Sequence, residues 1–143
     1  MVSTHFARLI LNAIGLKSER LALEWASAAE GPRYVRLITA FTEKMRAFGP
    51  LGAENGQSPR DLSQALAAAL KAVSGKKLRT RLAKATRTCR ESGGYDPDAL
   101  NAILEEAVDA AISREMENNQ ETAALGETQS GQEPGAHHKP KAI

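Results

Sequence analysis

The first fifteen residues carry apolar side chains at three- and four-residue steps. The members of this stripe are Phe6, Leu9, Ile10, Ala13 and Ile14. Such spacing places them on one helical face. Gly15 follows at the position where a left-handed residue commonly ends a helix. The pattern therefore predicts an amphipathic first helix that stops at Gly15.

Residues 21–26 follow a two-residue period instead. Leu21, Leu23 and Trp25 alternate with Ala22, Glu24 and Ala26. This alternation is typical of a strand with one wetter face. In the turn that follows, Ser27 and Glu30 have capping-box spacing, and Pro32 suits the first helical position. We expect a strand at 21–26 and a helix that begins within residues 28–32.

The predicted second helix has a strong apolar stripe, and Gly49-Pro50 ends it. The stripe consists of Tyr34, Leu37, Ile38, Phe41, Met45 and Phe48. Residues 53–57 follow as a linker within a stretch rich in glycine and polar residues.

Three further helices are predicted near residues 59–74, 76–91 and 97–117. Ser58-Pro59 and Asp96-Pro97 each supply an N-cap and a proline at the first helical position. Each helix has an apolar stripe. The first consists of Leu62, Leu66, Ala69, Leu70 and Val73, and the second of Leu78, Leu82, Ala85 and Cys89. The third consists of Leu100, Ile103, Leu104, Ala107, Val108, Ala111 and Ile112.

The expected fold class is α+β and mostly helical. An α–β–α unit at 1–52 would be the last part of an α/β sheet domain. The linker, a three-helix segment at 58–118 and a tail at 119–143 follow. The tail is expected to be disordered, because it is too polar to offset the entropy lost on ordering. A lone strand cannot pair with itself. Its partner strand must come from another copy, another protein or the rest of a larger sheet.

Composition limits the core and the partner classes. Of 143 residues, 42% are hydrophobic and only 4% are aromatic, so the core must be a thin one of small aliphatic side chains. The net charge of +2 does not indicate nucleic acid as the partner. A single cysteine, Cys89, excludes an intrachain disulfide and fits a reducing, cytoplasmic compartment. No stretch approaches the roughly 20 apolar residues of a membrane span.

Charge is segregated between the last two predicted helices. Residues 76–91 hold seven basic side chains against one acid, and residues 96–121 hold eight acids against one basic side chain. Antiparallel docking with internal ion pairing is the favoured interpretation, although exposed pairs stabilise weakly. The alternative is a basic patch of Arg79, Arg81, Lys84 and Arg87 that contacts nucleic acid or an acidic protein. No aromatic side chains are interleaved there for base stacking.

Candidate chemistry is sparse. Cys89 could be a redox thiol beside Arg87 and Arg90, but its place on an apolar stripe favours a small buried side chain. The adjacent His137 and His138 could bind a metal, yet they have no other ligands at suitable spacing. We find no catalytic triad, no phosphate-binding loop and no HExxH spacing. No catalytic, cofactor-binding or metal-binding residue is predicted.

The stretch "RLALEWASAAEGPRYVRLITAFTEKMRAFGPLG", residues 20–52, resembles the C-terminal portion of the methyl-viologen-reducing hydrogenase delta subunit family. The most specific positions are Glu24-Trp25, Ser27 and Glu30-Gly31-Pro32, with Phe41 and Gly49-Pro50 in step. The likeness extends back through "LILNAIGLKSE". Members of that family are small iron–sulfur proteins that pass electrons between hydrogenase and heterodisulfide reductase.

The resemblance implies an electron-transfer context without its cofactor. The family's cluster cysteines lie upstream of the matching helix, where this sequence has none, and one cysteine cannot hold a cluster that ordinarily needs four ligands. We therefore expect an accessory, non-catalytic component of a hydrogenase/heterodisulfide-reductase-like complex. Its partner would be an oxidoreductase subunit or a second copy, with neither membrane nor nucleic acid involved.

The residues expected to dock that partner are Trp25, Ser27, Glu30, Gly31, Pro32 and Tyr34. Exposed aromatic side chains dominate interface hot spots, but burial of Trp25 and Tyr34 in an ordinary core is the favoured alternative. The competing function is a helical binding module that uses the basic patch. An independent enzyme is a third, less favoured class.

Overall fold

A computed structural model describes residues 1–129, with side-chain surroundings for 1–53 and 55–122. The described chain contains five α-helices. They are α1 (Val2–Ala13), α2 (Gly31–Phe48), α3 (Pro59–Ser74), α4 (Lys76–Glu91) and α5 (Pro97–Gln129), with short 3₁₀ turns at Ser18–Arg20 and Ala53–Asn55.

Helices α1, α3 and α4 all pack against α5 around one hydrophobic core. The largest side chains that are fully buried are Leu78, Leu100, Leu104 and Val108, of which three belong to α5. Leu100, Leu104 and Val108 follow one another at four-residue steps, which places them on one face of α5. The helix α5 therefore provides the surface on which the other three helices assemble.

The predicted α+β fold class is wrong for the described residues, which contain no strand. Residues 21–26 have no regular structure and are mostly exposed. A two-residue period can form a ladder only beside a second strand, and the described chain offers none. The carbonyl oxygen of Leu21 instead accepts hydrogen bonds from Nε and Nη2 of Arg8, at 3.1 and 3.0 Å.

The predicted helices are confirmed, including both start signals in the second half. The hydroxyl of Ser58 accepts from the backbone N–H of Asp61 at 3.1 Å, and helix α3 begins at the next residue, Pro59. The carboxylate of Asp96 accepts from the N–H groups of Asp98 and Ala99 at 3.0 and 3.3 Å. These local caps satisfy N–H groups that a helix start leaves without partners.

The buried face of α3 differs from the predicted stripe. It consists of Ala65, Ala68, Ala69 and Ala72, whereas Leu66 is exposed and Leu70 is 71% exposed. Alanine side chains let two helix backbones approach closely, so α3 packs its smallest side chains against α5. A pattern that ranks residues by hydrophobic size selects the leucines instead.

The last helix is longer than predicted, because α5 continues past residue 117 to Gln129. It thereby covers the first part of the predicted disordered tail, and residues 130–143 lie outside the described chain. The division into a unit at 1–52, a linker at 53–57 and a segment at 58–118 stays a prediction. Side chains of α1 contribute to the same core as α3, α4 and α5.

The end of α1 is closed as the sequence predicts. The N–H of Gly15 bonds the carbonyl of Asn12 at 2.9 Å, and the N–H of Leu16 bonds that of Leu11 at 2.8 Å, which is the Schellman pattern. Gly15 has a φ of +78°.

Two side chains from residues 53–57 complete this closure. Asn55 Nδ2 donates to the carbonyl oxygen of Gly15, and Gln57 Nε2 donates to that of Ile14 at 3.0 Å. The predicted linker thus satisfies orphan carbonyl groups at the end of α1.

His5 also ties α1 to the start of α5. Its Nε2 lies 2.8 Å from Asn101 Oδ1, and its Nδ1 lies 3.0 Å from the hydroxyl of Tyr95. A neutral ring protonated on Nε2 satisfies both contacts, since Nδ1 then accepts from the tyrosine.

We expect Gly15→Ala to lower the free energy of unfolding by about 1–2 kcal/mol, since a left-handed backbone is unfavourable for alanine. A Cβ at this position would also lie only 3.0 Å from Gln57 Nε2. Urea unfolding followed by far-UV circular dichroism measures the change.

Two glycines separate these causes. Gly56→Ala tests positive φ alone, because Gly56 has a φ of +63° and open space around its Cβ position. Gly94→Ala tests neither cause, since no positive φ and no close contact occur there. Equal stability of Gly15→Ala and Gly94→Ala would contradict the assigned role.

Candidate partner-docking site

Helix α2 and the segment before it lie outside the hydrophobic core. No residue of α2 is buried, and its side chains are absent from the core cluster. Trp25 is 67% exposed and Tyr34 is 58% exposed, and Val35 and Ile38 are exposed as well. We call residues 21–48 the α2 lobe. Of its apolar stripe, Tyr34 and Ile38 are exposed, and the other four residues are half-buried.

The lobe is fastened where α2 ends. One guanidinium nitrogen of Arg20 donates to the carbonyl oxygens of Phe48, Gly49 and Pro50, at 3.4, 3.1 and 3.1 Å. The end of a helix leaves such carbonyl groups without intrahelical partners. Arg20 therefore replaces part of their lost hydration and joins the two ends of the lobe.

The ring of Phe48 strengthens the same junction. The ammonium of Lys17 lies 4.5 Å from the ring centroid, the guanidinium of Arg20 lies 5.5 Å away, and the ammonium of Lys44 lies 5.8 Å away. Cations within about 6 Å of an aromatic face are attracted by the ring quadrupole. This end of the lobe is accordingly fixed, while the end that carries Trp25 and Tyr34 is exposed.

The start of α2 is shaped by Glu30. Its Oε2 accepts from the backbone N–H of Ser27 at 2.8 Å, and its Oε1 pairs with Arg33 at 3.2 Å. The N–H of Ser27 chiefly holds the pKa of Glu30 below its ordinary value of 4.5, and the Ser27 and Arg33 side chains add to this. Glu30 itself is the N-cap, so only one of the two bonds of the predicted capping box forms.

The six predicted docking residues divide into two groups. Trp25 and Tyr34 present exposed aromatic rings. The others build the turn that positions those rings: Ser27 and Glu30 through their hydrogen bonds, and Gly31 and Pro32 as the first two residues of α2. Burial of the two aromatic side chains in the core, the favoured alternative, is wrong for this structure. Their docking role stays a prediction.

Sequence reasoning missed two parts of this site. Val35 is exposed beside the stripe although it falls outside the three- and four-residue spacing. The anchoring role of Arg20 was also missed. An arginine that immediately precedes the exposed segment was the available signal, but its carbonyl acceptors lie about thirty residues away in the chain.

The basic patch of Arg79, Arg81, Lys84 and Arg87 lies exposed on α4. Arg87 pairs with Glu91 of the same helix at 3.2 Å. Within the part of the chain that the structure describes, no ion pair joins α4 to α5, so the predicted ionic pairing between these helices is wrong. They are antiparallel, but they pack through apolar side chains that include Leu78 and Cys89.

The sequence has one cysteine, and Cys89 is buried on the apolar face of α4, as predicted. Within residues 1–129, no three His, Cys, Asp or Glu side chains converge as metal ligands. The pair His137-His138 lies outside the described residues.

No helix within residues 1–129 combines the length and apolar character needed to cross a bilayer.

Comparison with known proteins finds a family match for the segment that contains the α2 lobe. Residues 3–49 match the family described as methyl-viologen-reducing hydrogenase, delta subunit. The resemblance inferred from the sequence is therefore confirmed for α1, the exposed segment and α2.

Two heterodisulfide reductase subunits are similar to this chain over the same region. The one from the ferredoxin:CoB-CoM heterodisulfide reductase of Methanosarcina mazei is 44% identical over 45 residues. The one from the ferredoxin/F(420)H(2)-dependent CoB-CoM heterodisulfide reductase of Methanosarcina acetivorans is 40% identical over 45 residues. Each match covers 32% of this chain and only 6% of the relative. No solved structure shows a significant match to the chain.

The lowered pKa of Glu30 has a consequence for pH. A carboxylate whose pKa falls on folding stabilises the folded state above its unfolded pKa, and this contribution disappears as the pH falls through the folded pKa. We expect the Glu30 carboxyl carbon to titrate below pH 4.5 in an NMR experiment.

A pair of variants at Ser27 tests the cause. Ser27→Pro removes the backbone N–H that Glu30 accepts from and should raise the titration midpoint more than Ser27→Ala, which removes only the hydroxyl. A midpoint at the ordinary glutamate value in the unmodified chain would refute the assigned hydrogen bonds.

Proposed function

We propose that this chain is an accessory, non-catalytic component of a hydrogenase/heterodisulfide-reductase-like electron-transfer complex. In this proposal the α2 lobe docks onto an oxidoreductase subunit. The observation that carries it is that the segment matched to the hydrogenase delta family leaves Trp25, Tyr34 and Ile38 exposed within the described chain.

The size and chemistry of the lobe suit protein recognition. Helix α2 has 18 residues and is therefore about 27 Å long at 1.5 Å per residue. Apolar side chains that are exposed close together commonly mark an interaction site. Exposed tryptophan and tyrosine side chains supply large contact areas and are enriched among the residues that dominate binding energy. A partner that covers the stripe would remove this surface from water.

The surroundings of the stripe favour a partner with an acidic rim. Four basic residues accompany it on α2, against Glu30 at the N-cap and Glu43. These basic residues are Arg33, Arg36, Lys44 and Arg46. Complementary charge around an apolar interface accelerates encounter and fixes orientation.

The relatives support this assignment through their architecture. In both Methanosarcina proteins the matched segment is a small part of a much longer polypeptide. There it is covalently joined to the rest of that polypeptide. We propose that the matched segment of this chain makes its protein contacts through the exposed side chains of the α2 lobe.

A second function has one specific observation in its favour. Arg79, Arg81 and Lys84 of the basic patch form no ion pair among the described residues, so they are available to an acidic protein or nucleic acid, whereas Arg87 pairs with Glu91. Strong, salt-sensitive binding to DNA that disappears when Arg79, Arg81 and Lys84 become Glu would favour this helical binding module over the docking proposal.

Co-purification tests the docking proposal. The tagged chain is co-expressed with the hydrogenase and heterodisulfide reductase subunits of its own source, and iron–sulfur and flavin absorbance in the purified complex is measured. Ile38→Asp places a charge within the exposed stripe and Trp25→Ala removes the largest aromatic side chain. Each should weaken association by at least about 30-fold, the effect of losing a hot spot of about 2 kcal/mol.

The matched control is Leu70→Asp. Leu70 is an apolar residue at least as exposed as Ile38 and Trp25, but it belongs to α3 and lies outside the matched segment. Association should survive this change. Loss of binding in all three variants to the same extent, or no association with any oxidoreductase subunit, would refute the proposal.

The purified chain should bind no stoichiometric iron, because Cys89 alone cannot hold a cluster. Anaerobic reconstitution with iron and sulfide, followed by iron determination and a visible spectrum, checks this expectation. A brown sample with cluster absorbance that persists after desalting would contradict it, and Cys89→Ser would then show whether this thiol contributes.

A further inference from the structure

A groove opens where three helices of the bundle meet. It lies between the C-terminal end of α3, the first turns of α4 and the middle of α5, and its volume is about 690 Å³. We call it the α3–α4–α5 groove. Its volume lies within the range of roughly 300–1,000 Å³ that is typical of small-molecule sites. It is separate from the α2 lobe.

Four cationic side chains line this groove without an ion-pair partner among the described residues. Lys76, Lys77 and Arg81 come from α4, and Arg114 comes from α5. All four are exposed. Because two helices contribute them, the positive charge is concentrated at one place rather than spread along one helix face.

The remaining charged residues of the groove neutralise each other. Lys71 of α3 and Glu115 of α5 form an ion pair at 2.8 Å. The hydrogen bond from Lys71 is the main cause that holds the pKa of Glu115 below its ordinary value. The groove therefore keeps an excess of four positive charges even though it contains one carboxylate.

Apart from Thr80, the rest of the lining is apolar. Ala72, Ala107, Ala110 and Ala111 leave the space that a larger side chain would fill, and Leu78 lies buried among them. An inorganic ion would leave this surface uncovered. A ligand that fits both parts has a flat or apolar body and a strongly anionic end.

We propose that the α3–α4–α5 groove binds an organic phosphate with several negative charges, of the nucleoside di- or triphosphate class. Its phosphate groups contact Arg81 and Arg114, whose guanidinium groups match phosphate oxygens in a two-pronged geometry, and Lys76 and Lys77 add charge. The base or other apolar body lies over the alanine side chains. This proposal is independent of the docking function.

Titration of the full-length chain with ATP tests the proposal. Isothermal calorimetry gives the affinity, and ¹⁵N NMR shifts locate the site, which should include residues 76–81 and 107–115. Arg81→Ala combined with Arg114→Ala should weaken ATP binding at least about tenfold, since both substitutions remove charge-assisted hydrogen bonds to the phosphate groups.

The matched control is Arg79→Ala combined with Arg90→Ala. It removes the same net charge from exposed residues that line a different depression on α4. ATP binding should change less than about twofold, because distant surface charges act weakly through screening. Equal losses in both double variants would show non-specific attraction and overturn the proposal.

A third variant separates the apolar contact from the ionic one. Ala110→Leu fills the groove without changing its charge, so it should weaken ATP much more than pyrophosphate. The site would be refuted if ATP binding were not measurable, or if the Ala110→Leu variant bound ATP normally. It would also be refuted if a single-stranded oligonucleotide bound more tightly than ATP and depended equally on both arginine pairs. Circular dichroism confirms that each variant remains helical.

Discussion

The buried face of α5 is the constraint on which the rest of this structure depends. Leu100, Leu104 and Val108 are completely buried, and three other helices pack around the same helix. A single helical face offers room for few neighbours, since helix axes pack 8–10 Å apart. The core that forms around α5 takes its buried side chains from α1, α3, α4 and α5 and the residues next to α1, and no buried side chain comes from α2.

Two surfaces remain available once this core has formed. One is the apolar stripe of the α2 lobe, and the other is the basic surface of α4, which packs on α5 through its opposite, apolar face. Hydrophobic burial, rather than charge, orders the bundle, because exposed ion pairs contribute little compared with buried leucine side chains. The basic α4 and the acidic α5 can therefore pack together without ion pairs between their charged side chains.

The sequence predicted what depends on local chemistry. Ser58, Asp96 and Gly15 each mark a helix end through bonds to residues a few positions away, and each was correctly identified. The resemblance of residues 20–52 was also correctly inferred, because it rests on residue identities. The face that α3 buries could not be predicted from hydrophobicity. Leu70 is more hydrophobic than its neighbouring alanines, yet Leu70 is exposed and the alanines Ala68, Ala69 and Ala72 are buried. The strand at 21–26 failed because pairing is not a property of one segment.

The predicted docking residues show the same limit. The spacing of the α2 stripe indicates a helix with one apolar face, and this is correct, but spacing alone does not say whether that face is covered within the chain or by a partner. For Trp25 and Tyr34 only the packing of the other helices decides between these alternatives. Positive φ at Gly15 and the anchoring of Phe48 by Arg20 likewise have local signals, but their consequences depend on distant residues.

Covalent connection changes how much contact energy a docking segment must supply. A segment joined to its neighbour on one polypeptide meets it at an effective concentration that reaches the millimolar range for short linkers. A separate chain has no such advantage, and its contacts must also offset the lost translational and rotational freedom of association. A long apolar stripe with two exposed aromatic side chains, held in shape by Arg20 and Glu30, supplies contact area on a lobe that is already ordered. The proposed docking of the α2 lobe to an oxidoreductase subunit would use this contact area.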